Sequence, residues 1–205
     1  MVIFDFDGTL ADTIPWLMEL MPEICRRFNL NEISRETVQA LRSDPSPELV
    51  RKVGIPLWKL PLIAWHIRQR SKANAASLTL FPGMVGLISK LHARGAKVGI
   101  VSSNDEEAIA RVLGPELAAK VSYYECRASI FGKSHRLARV LKRAGVEASE
   151  AIYIGDETRD AKAARAVGMD FGAVGWGYST EVAFSQMGVT AFYSCIADLE
   201  AALLK

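Results

Sequence analysis

The chain has 205 residues, half of them hydrophobic, and its 25 Lys and Arg residues nearly balance its 23 Asp and Glu residues. The formal net charge of +2 does not indicate a nucleic-acid-binding protein, and the length suits one large domain or a domain with a smaller insertion. Cys25, Cys126 and Cys195 lie far apart and form no CxxC pair, which argues against a disulfide or zinc framework. We therefore expect a cytoplasmic protein without a signal peptide, and no apolar run approaches the roughly 18 residues of a membrane span.

The first predicted element is a short buried strand. Val2-Ile3-Phe4 is a continuous apolar run that leads directly into Asp5-Phe6-Asp7-Gly8-Thr9. Two carboxylates this close at the end of a buried strand are unfavourable unless a cation or a proton compensates their charge. The stretch is therefore either a solvated turn or a place where a positive group binds.

Residues 14–80 are predicted to be helical, because they show helical periodicity and no convincing strand. Ser, Asp and Pro interrupt the segment at 43–47, and Phe81-Pro82-Gly83 ends it. We predict an all-α subdomain over residues 14–80, inserted into an α/β core of residues 1–13 and 81–205. Its ten Lys or Arg against six Asp or Glu fit an anionic substrate or simply a solvated surface. Two apolar stripes mark its helices: Leu17, Leu20, Met21, Ile24 and Phe28, and Leu57, Leu60, Ile63, Ala64 and Ile67.

The rest of the chain alternates strands with helices, which is typical of a doubly wound parallel sheet in an α/β protein. Strands are predicted at 98–101 and 151–154, with weaker candidates at 121–124, 171–174 and 191–193. Helices are predicted at 105–113, 133–145, 158–167 and 196–204, the first of them with Asn104 as its N-cap.

Polar side chains follow the three strongest strands, and ligands of open parallel sheets bind beyond the carboxyl ends of the strands. Mg²⁺ prefers oxygen ligands and often keeps a substrate phosphate in its coordination shell, so this edge predicts a Mg²⁺ site. Gly8 and Thr9 would form a tight turn whose backbone N–H groups approach a phosphoryl oxygen. The side chains expected at this edge are Asp5, Asp7, Ser102 and Asp156.

Four short motifs occur in a fixed order: Asp5-x-Asp7-Gly8-Thr9, Val98–Ser102, Lys133, and Gly155-Asp156-x-x-x-Asp160. In this order they resemble motifs I to IV of the haloacid dehalogenase-like hydrolase superfamily. The superfamily's C1-type cap lies between motifs I and II, where residues 14–80 stand. The LADT that follows motif I and the stretch 173–178 are similar to the phosphoglycolate-phosphatase-like group. The resemblance implies a Rossmann-like α/β core with an all-α cap.

The resemblance also implies roles for the carboxylates of motif I. Asp5 would attack phosphorus to form an aspartyl-phosphate and would also ligate Mg²⁺. Asp7 would protonate the leaving oxygen and later take a proton from the attacking water, and its backbone carbonyl would ligate the metal. The residues alone leave open that Asp5 is an ordinary strand-end carboxylate accepting hydrogen bonds from turn amides.

Motif IV would complete the metal site. Asp156 resembles the second carboxylate ligand of Mg²⁺. Asp160 would orient a metal-bound water or Lys133; the alternative is that it only interacts favourably with the dipole of its own helix, in whose first turn it lies. Glu157 stands where Ser or Thr is more usual. Its two open roles are an outer partner of the metal and a solvated surface residue.

Motifs II and III would bind the phosphate. Ser102 would donate its hydroxyl to a phosphoryl oxygen, with Ser103 and Asn104 as further phosphate-binding candidates, although these residues could instead cap the next helix. Lys133 begins a predicted helix, where the macrodipole disfavours a cation. We therefore expect it to pair with the nucleophile and the phosphoryl group, an exposed lysine being the alternative. It is preceded by Phe-Gly rather than the more common Pro.

Substrate contacts in the cap are harder to assign. Arg42, in the 42–48 loop, is the anion contact that we predict, and residues 13–16 are expected to face the site. A Schiff-base role for Lys59 is not favoured, because it adjoins Trp58 in an apolar helix. His135 either lines the site or lies on the surface.

The predicted function is a Mg²⁺-dependent phosphatase that hydrolyses a small phosphomonoester through an aspartyl-phosphate. One alternative is a phosphotransferase or phosphomutase that passes the same phosphoryl group to an alcohol. Another is a binding or regulatory protein that kept the scaffold without turnover. We expect a small phosphorylated metabolite as partner, and neither nucleic acid nor membrane; the oligomeric state is left open.

Overall fold

The computed structural model describes residues 1–34, 36–37, 54–128 and 132–205. Within these ranges, six parallel strands form one sheet in the order β3-β2-β1-β4-β5-β6. The doubly wound α/β sheet predicted from the sequence is therefore confirmed. The strands are β1 (Val2–Phe4), β2 (Val98–Val101), β3 (Tyr123–Glu125), β4 (Ile152–Gly155), β5 (Asp170–Val174) and β6 (Phe192–Tyr193).

The central position of β1 follows from its apolar faces. It pairs in parallel with β2 and β4, and its side chains point alternately to the two sides of the sheet. Val2 and Phe4 belong to one buried cluster, and Ile3 belongs to the cluster on the opposite side. Full burial of a side chain such as Phe4 contributes roughly 1.5–3 kcal/mol, so the strand that leads to the site is firmly held.

Helices cover both faces of this sheet, and two further α-helices lie within the described part of residues 14–80. Within the described ranges they are α1 (Ile14–Phe28), α2 (Leu60–Ala73), α3 (Met84–Ala93), α4 (Glu106–Ala118), α5 (Lys133–Ala144), α6 (Thr158–Ala166), α7 (Glu181–Gln186) and α8 (Ile196–Leu203). None of them combines the length and apolarity needed to span a membrane.

Two helices were not predicted, and one is longer than expected. Helix α3 has a clear signal that could have revealed it, because its buried residues are spaced as on one helical face. Helix α7 has only six residues and a weak pattern. Helix α4 continues past residue 113, because Gly114 adopts φ 71° and Pro115 starts a further helical turn after the kink.

The helical segment (residues 14–80) leaves and rejoins the sheet at adjacent points. Asp12 N–H donates to the Thr79 carbonyl at 2.9 Å, next to a bridge between Ala11 and Leu80. Helices α1 and α2 share a small apolar cluster of their own, which includes Leu20, Ile24 and Ile63. The division into a core and a cap stays a prediction. Arg42 and the interruption at 43–47 lie outside the described residues.

Candidate active site

The candidate site lies at the edge of the sheet where β1, β2 and β4 end. The last residue of β1 pairs with β2 on one side and with β4 on the other. Parallel neighbours end at the same edge, so Asp5, Ser102 and Asp156 come together there although they are distant in sequence. All three are buried. The structure therefore brings these three candidates to one edge, and their roles there stay predictions.

Lys133 is buried between two carboxylates. Its Nζ lies 2.6 Å from Asp5 Oδ2 and 2.5 Å from Asp160 Oδ1, and each of the three side chains is at most 4% exposed. The alternative that Lys133 is an exposed lysine is therefore wrong. Asp5 Oδ1 accepts the Phe6 N–H at 2.8 Å, so both oxygens of this carboxylate are held.

Burial raises the pKa values of three carboxylates at this edge. Burial raises the pKa of Asp5 to about 7, with Lys133 opposing the shift and Asp160 adding to it. The pKa values of Asp7 and Asp156 are also raised by burial, that of Asp156 well above its usual range. Burial acts to lower the pKa of Lys133, but the charges of Asp160 and Asp5 outweigh it and raise this pKa. The Lys133 ammonium and the Arg159 guanidinium thus lie among four aspartates and Glu157, which leaves room for a further positive charge.

The donor set fits a hard divalent cation. One carboxylate oxygen each from Asp5, Asp156 and Asp160 lie within 4.8 Å of one another, and all three residues are buried. Oxygen donors carrying uncompensated negative charge are what Mg²⁺ prefers in proteins. This group includes Asp160, which was expected to act from outside the metal's ligands. Asp7 was expected to ligate through its backbone carbonyl, and that contact stays a prediction.

Asp156 is fixed from two directions. Thr9 Oγ1 donates to its Oδ1 at 2.8 Å, and the Tyr178 N–H donates to its Oδ2 at 2.8 Å. The N–H groups of Gly8 and Thr9 donate to carbonyls of their own turn. In this arrangement the two amides support the turn that places Thr9, and their contact with a phosphoryl oxygen stays a prediction.

Gly177→Ala is expected to disrupt this packing. A Cβ at residue 177 would lie 2.1 Å from Asp156 Cβ and 2.6 Å from the Gly8 carbonyl oxygen, so Asp156 must move. We expect a loss of about 1–3 kcal/mol in the free energy of unfolding, measured by urea denaturation, together with a loss of activity. The matched control is Gly86→Ala in α3, where an added Cβ has nothing within 4 Å. That change should be neutral or stabilise by about 0.5–1 kcal/mol, and equal effects from both would contradict the prediction.

Ser102 does not cap the helix that follows it. Helix α4 begins at Glu106, and its N-cap is Asp105, whose side chain accepts a backbone N–H at 3.2 Å. The prediction of Asn104 as the N-cap is therefore wrong. Ser102 Oγ accepts the Asn104 N–H at 3.0 Å, and its hydroxyl keeps its own hydrogen to donate to a ligand. Ser103 stands between them and is half-buried.

The side chain of Asn104 faces the site instead. Its Nδ2 donates to Asp7 Oδ1 at 3.3 Å and to Ser71 Oγ at 3.0 Å. The Thr13 side chain is also hydrogen-bonded to Asp7, and these bonds work against the effect of burial on the pKa of Asp7. Sequence reasoning missed Ser71 altogether, because one serine on a helix carries no signal of what it contacts.

The remaining site candidates fall into three groups. Glu157 is half-buried and pairs with Arg159, whose Nη2 lies 2.5 Å from Glu157 Oε1; the sequence analysis did not anticipate Arg159. The Glu157 N–H donates to Asp160 Oδ2 at 3.1 Å, so this turn also orients Asp160. His135 is exposed, which agrees with the alternative that it lies on the surface. Arg42 lies outside the described residues, and its contact with an anion stays a prediction.

The stability of the metal-free protein is expected to fall as the pH rises from about 4 to about 7. The folded-state pKa of Asp5 is raised from 3.8 to about 7, so between these values the folded protein holds a proton that the unfolded chain has lost. Stability is therefore lost as the pH rises through this interval, and the raised pKa of Asp156 adds to the loss.

Mg²⁺ should reverse this loss, because it replaces the protons as the compensating charge. We expect a larger increase in Tm on adding Mg²⁺ at about pH 8 than at about pH 5.5. Thermal unfolding in EDTA and in Mg²⁺ measures both effects, and Asp5→Asn should show a shallower decline with pH. Stability that rises with pH in EDTA would contradict the prediction.

The parallel sheet and the acidic groups at its edge define an α/β protein with a buried acidic site. Two solved structures share this fold. A haloacid dehalogenase-like family hydrolase from Streptococcus pneumoniae aligns with a TM-score of 0.79 at 18% identity, over 98% of this chain and 96% of its own. A predicted phosphatase from Clostridium acetobutylicum aligns with a TM-score of 0.82 at 18% identity, over 99% and 97%.

Sequence comparison narrows the class to a family. A phosphoglycolate phosphatase from Synechococcus elongatus is 32% identical over 179 residues, which cover 87% of this chain and 84% of the relative. The haloacid dehalogenase-like hydrolase profile matches residues 2–174. The chain belongs to the haloacid dehalogenase-like hydrolases, as the order of the four motifs predicted.

Proposed function

We propose that this hydrolase is a Mg²⁺-dependent phosphatase that cleaves a small phosphomonoester through an aspartyl-phosphate on Asp5. The observation that carries the proposal is the pairing of Asp5 with Lys133 at 2.6 Å, next to the oxygens of Asp156 and Asp160. A nucleophilic carboxylate needs a fixed orientation and a positive neighbour that also attracts the anionic substrate. This arrangement supplies both.

Asp5 and Asp7 would divide the chemistry between them. An Asp5 oxygen attacks phosphorus, and the bond from phosphorus to the leaving oxygen breaks as the leaving oxygen takes a proton from Asp7. Water then attacks the phosphorus of the aspartyl-phosphate and gives its proton to Asp7, which restores both side chains and releases inorganic phosphate. The raised pKa of Asp7 supports this role, because burial favours the protonated form that an acid needs.

The other polar groups would bind the transferring phosphoryl group. The Ser102 hydroxyl and the Lys133 ammonium lie at the same edge of the sheet, and Lys133 remains charged between its carboxylate partners. Fixed donors of this kind stabilise the negative charge of the transition state. Asp5, Asp156 and Asp160 would hold Mg²⁺, which when bound neutralises phosphoryl oxygens and lets an anionic nucleophile approach them.

The substrate class rests on the relatives and on the size of the helical segment. Relatives from Synechococcus elongatus and Rhodospirillum rubrum carry the name phosphoglycolate phosphatase. If the helical segment forms the predicted cap over this edge of the sheet, it would favour a small phosphomonoester such as 2-phosphoglycolate over a protein substrate.

Phosphate release from a panel of small phosphomonoesters tests the proposal. We expect wild type to hydrolyse at least one of them with Mg²⁺ and none with EDTA. Faster transfer of the phosphoryl group to an added sugar than to water would favour the phosphotransferase alternative. Mg²⁺-dependent binding of the esters without phosphate release would indicate a protein that has lost turnover.

A further inference from the structure

The helical segment contacts the core next to Asp7. Ser71 lies in the last turn of α2 and is only 1% exposed. Asn104 Nδ2 donates to Ser71 Oγ at 3.0 Å and to Asp7 Oδ1 at 3.3 Å. One amide nitrogen therefore joins a residue of the helical segment to the acid of the core.

The partners of Asn104 determine the orientation of its amide. Its Oδ1 accepts the Asp105 N–H at 2.8 Å, a contact that only the oxygen can make. The amino group must then face Asp7 and Ser71, one hydrogen for each. The backbone is held as well, because the Asn104 N–H donates to Ser102 Oγ at 3.0 Å. The hydrogen bond to Ser71 therefore helps to hold the Asn104 side-chain torsions in the conformation that directs the amino group at Asp7.

Exposed contacts close to Ser71 do not reach the site. Lys72 Nζ lies 2.5 Å from Glu107 Oε2, and Arg111 Nη1 donates to the Lys72 carbonyl at 3.3 Å. Ion pairs between exposed side chains contribute little, because water screens them. The buried hydrogen bond from Asn104 Nδ2 to Ser71 is the contact in this group that leads to Asp7, because the same nitrogen donates to Asp7 Oδ1.

We propose that Ser71 is a positioning residue for Asp7 and acts through Asn104. The inference rests on the proposed function, in which Asp7 gives a proton to the leaving oxygen. As the bond from phosphorus to oxygen breaks, its electron pair stays on that oxygen, and an alkyl oxygen needs the proton at that moment. A nitrophenyl oxygen leaves as a stable anion and needs it far less. Ser71 should therefore matter for the cleavage step of alkyl phosphates and hardly at all for that of an aryl phosphate, whereas the later hydrolysis of the aspartyl-phosphate is common to both.

The test compares Ser71→Ala with wild type on 2-phosphoglycolate and on p-nitrophenyl phosphate, in Mg²⁺. We expect kcat/KM for the alkyl ester, which reports the steps up to release of the alcohol, to fall about 5–10-fold, while kcat/KM for the aryl ester stays within about twofold. The matched control is Ser77→Ala, since Ser77 is an exposed serine that donates to the Asn74 carbonyl. It should leave both esters within about twofold of wild type.

Asn104→Ala provides the second variant. It should show the same preference for the aryl ester, and adding Ser71→Ala to it should lower the alkyl rate by less than about twofold more. An equal loss of kcat/KM on both esters in Ser71→Ala, or a fully additive double variant, overturns the inference alone. Wild type that releases phosphate from no ester of the whole panel, these two included, overturns the proposed function as well.

Discussion

Replacing Asp5 with Asn is expected to lower kcat for phosphomonoester hydrolysis by at least about a thousandfold while the protein stays folded. An amide oxygen is a poor nucleophile, so the aspartyl-phosphate does not form. Folding should survive, because Lys133 retains Asp160 as a partner at 2.5 Å and one of several crowded like charges is removed. Phosphate release and thermal unfolding of the same preparations measure the two effects.

The matched control for Asp5→Asn is Asp12→Asn, the same chemical change on an exposed residue of the following loop. We expect its kcat to stay within about twofold of wild type. An Asp5→Asn enzyme that keeps a tenth or more of the wild-type rate on every hydrolysed ester would show that Asp5 is not the nucleophile. Trapping of the phosphoryl group on wild type and not on Asp5→Asn would give independent support.

Replacing Lys133 with Met is expected to have the largest effect on stability. The ammonium group bonds to Asp5 and Asp160, and all three side chains are almost fully buried. Removing it leaves two facing carboxylates without a counter-charge, and breaking a buried pair in this way costs about 3–5 kcal/mol. Urea denaturation in EDTA measures the loss. Activity should also fall steeply, because the transferring phosphoryl group loses a positive neighbour.

Two comparisons show whether the charge is the cause. Lys142→Met changes an exposed lysine of the same helix and should shift the free energy of unfolding by less than about 0.5 kcal/mol. Lys133→Met combined with Asp160→Asn should be more stable than Lys133→Met alone, because one of the unpaired carboxylates is then neutral. Equal stability of Lys133→Met and wild type would mean that Lys133 does not compensate these charges.

Much of the fold follows from local patterns in the sequence. Apolar runs such as Val98–Val101 can be buried on both faces only inside a parallel sheet, so they predict strands and the edge at which those strands end. Asp5, Asp156 and Lys133 could be placed together from these patterns and from the order of the motifs. Helix α3 was within reach of the same reasoning, since its buried face has helical spacing.

Other features were decided by tertiary packing. A periodic pattern says which face of an element is apolar, but not which polar side chain meets another across the fold. From the sequence, Asn104 could cap a helix or face the site. In the fold Asp105 is the N-cap, and the Asn104 amide donates hydrogen bonds to Asp7 and Ser71. These partners are 97 and 33 residues away from Asn104.

The sequence by itself therefore determined the class of fold, the family and the identity of the acidic groups, because these depend on residue types at short spacings. The tertiary structure decided which charges are paired. Lys133 is shared by Asp5 and Asp160, and Glu157 is bound by Arg159. The strength of such contacts depends on distance and burial, and both arise only when the chain is packed.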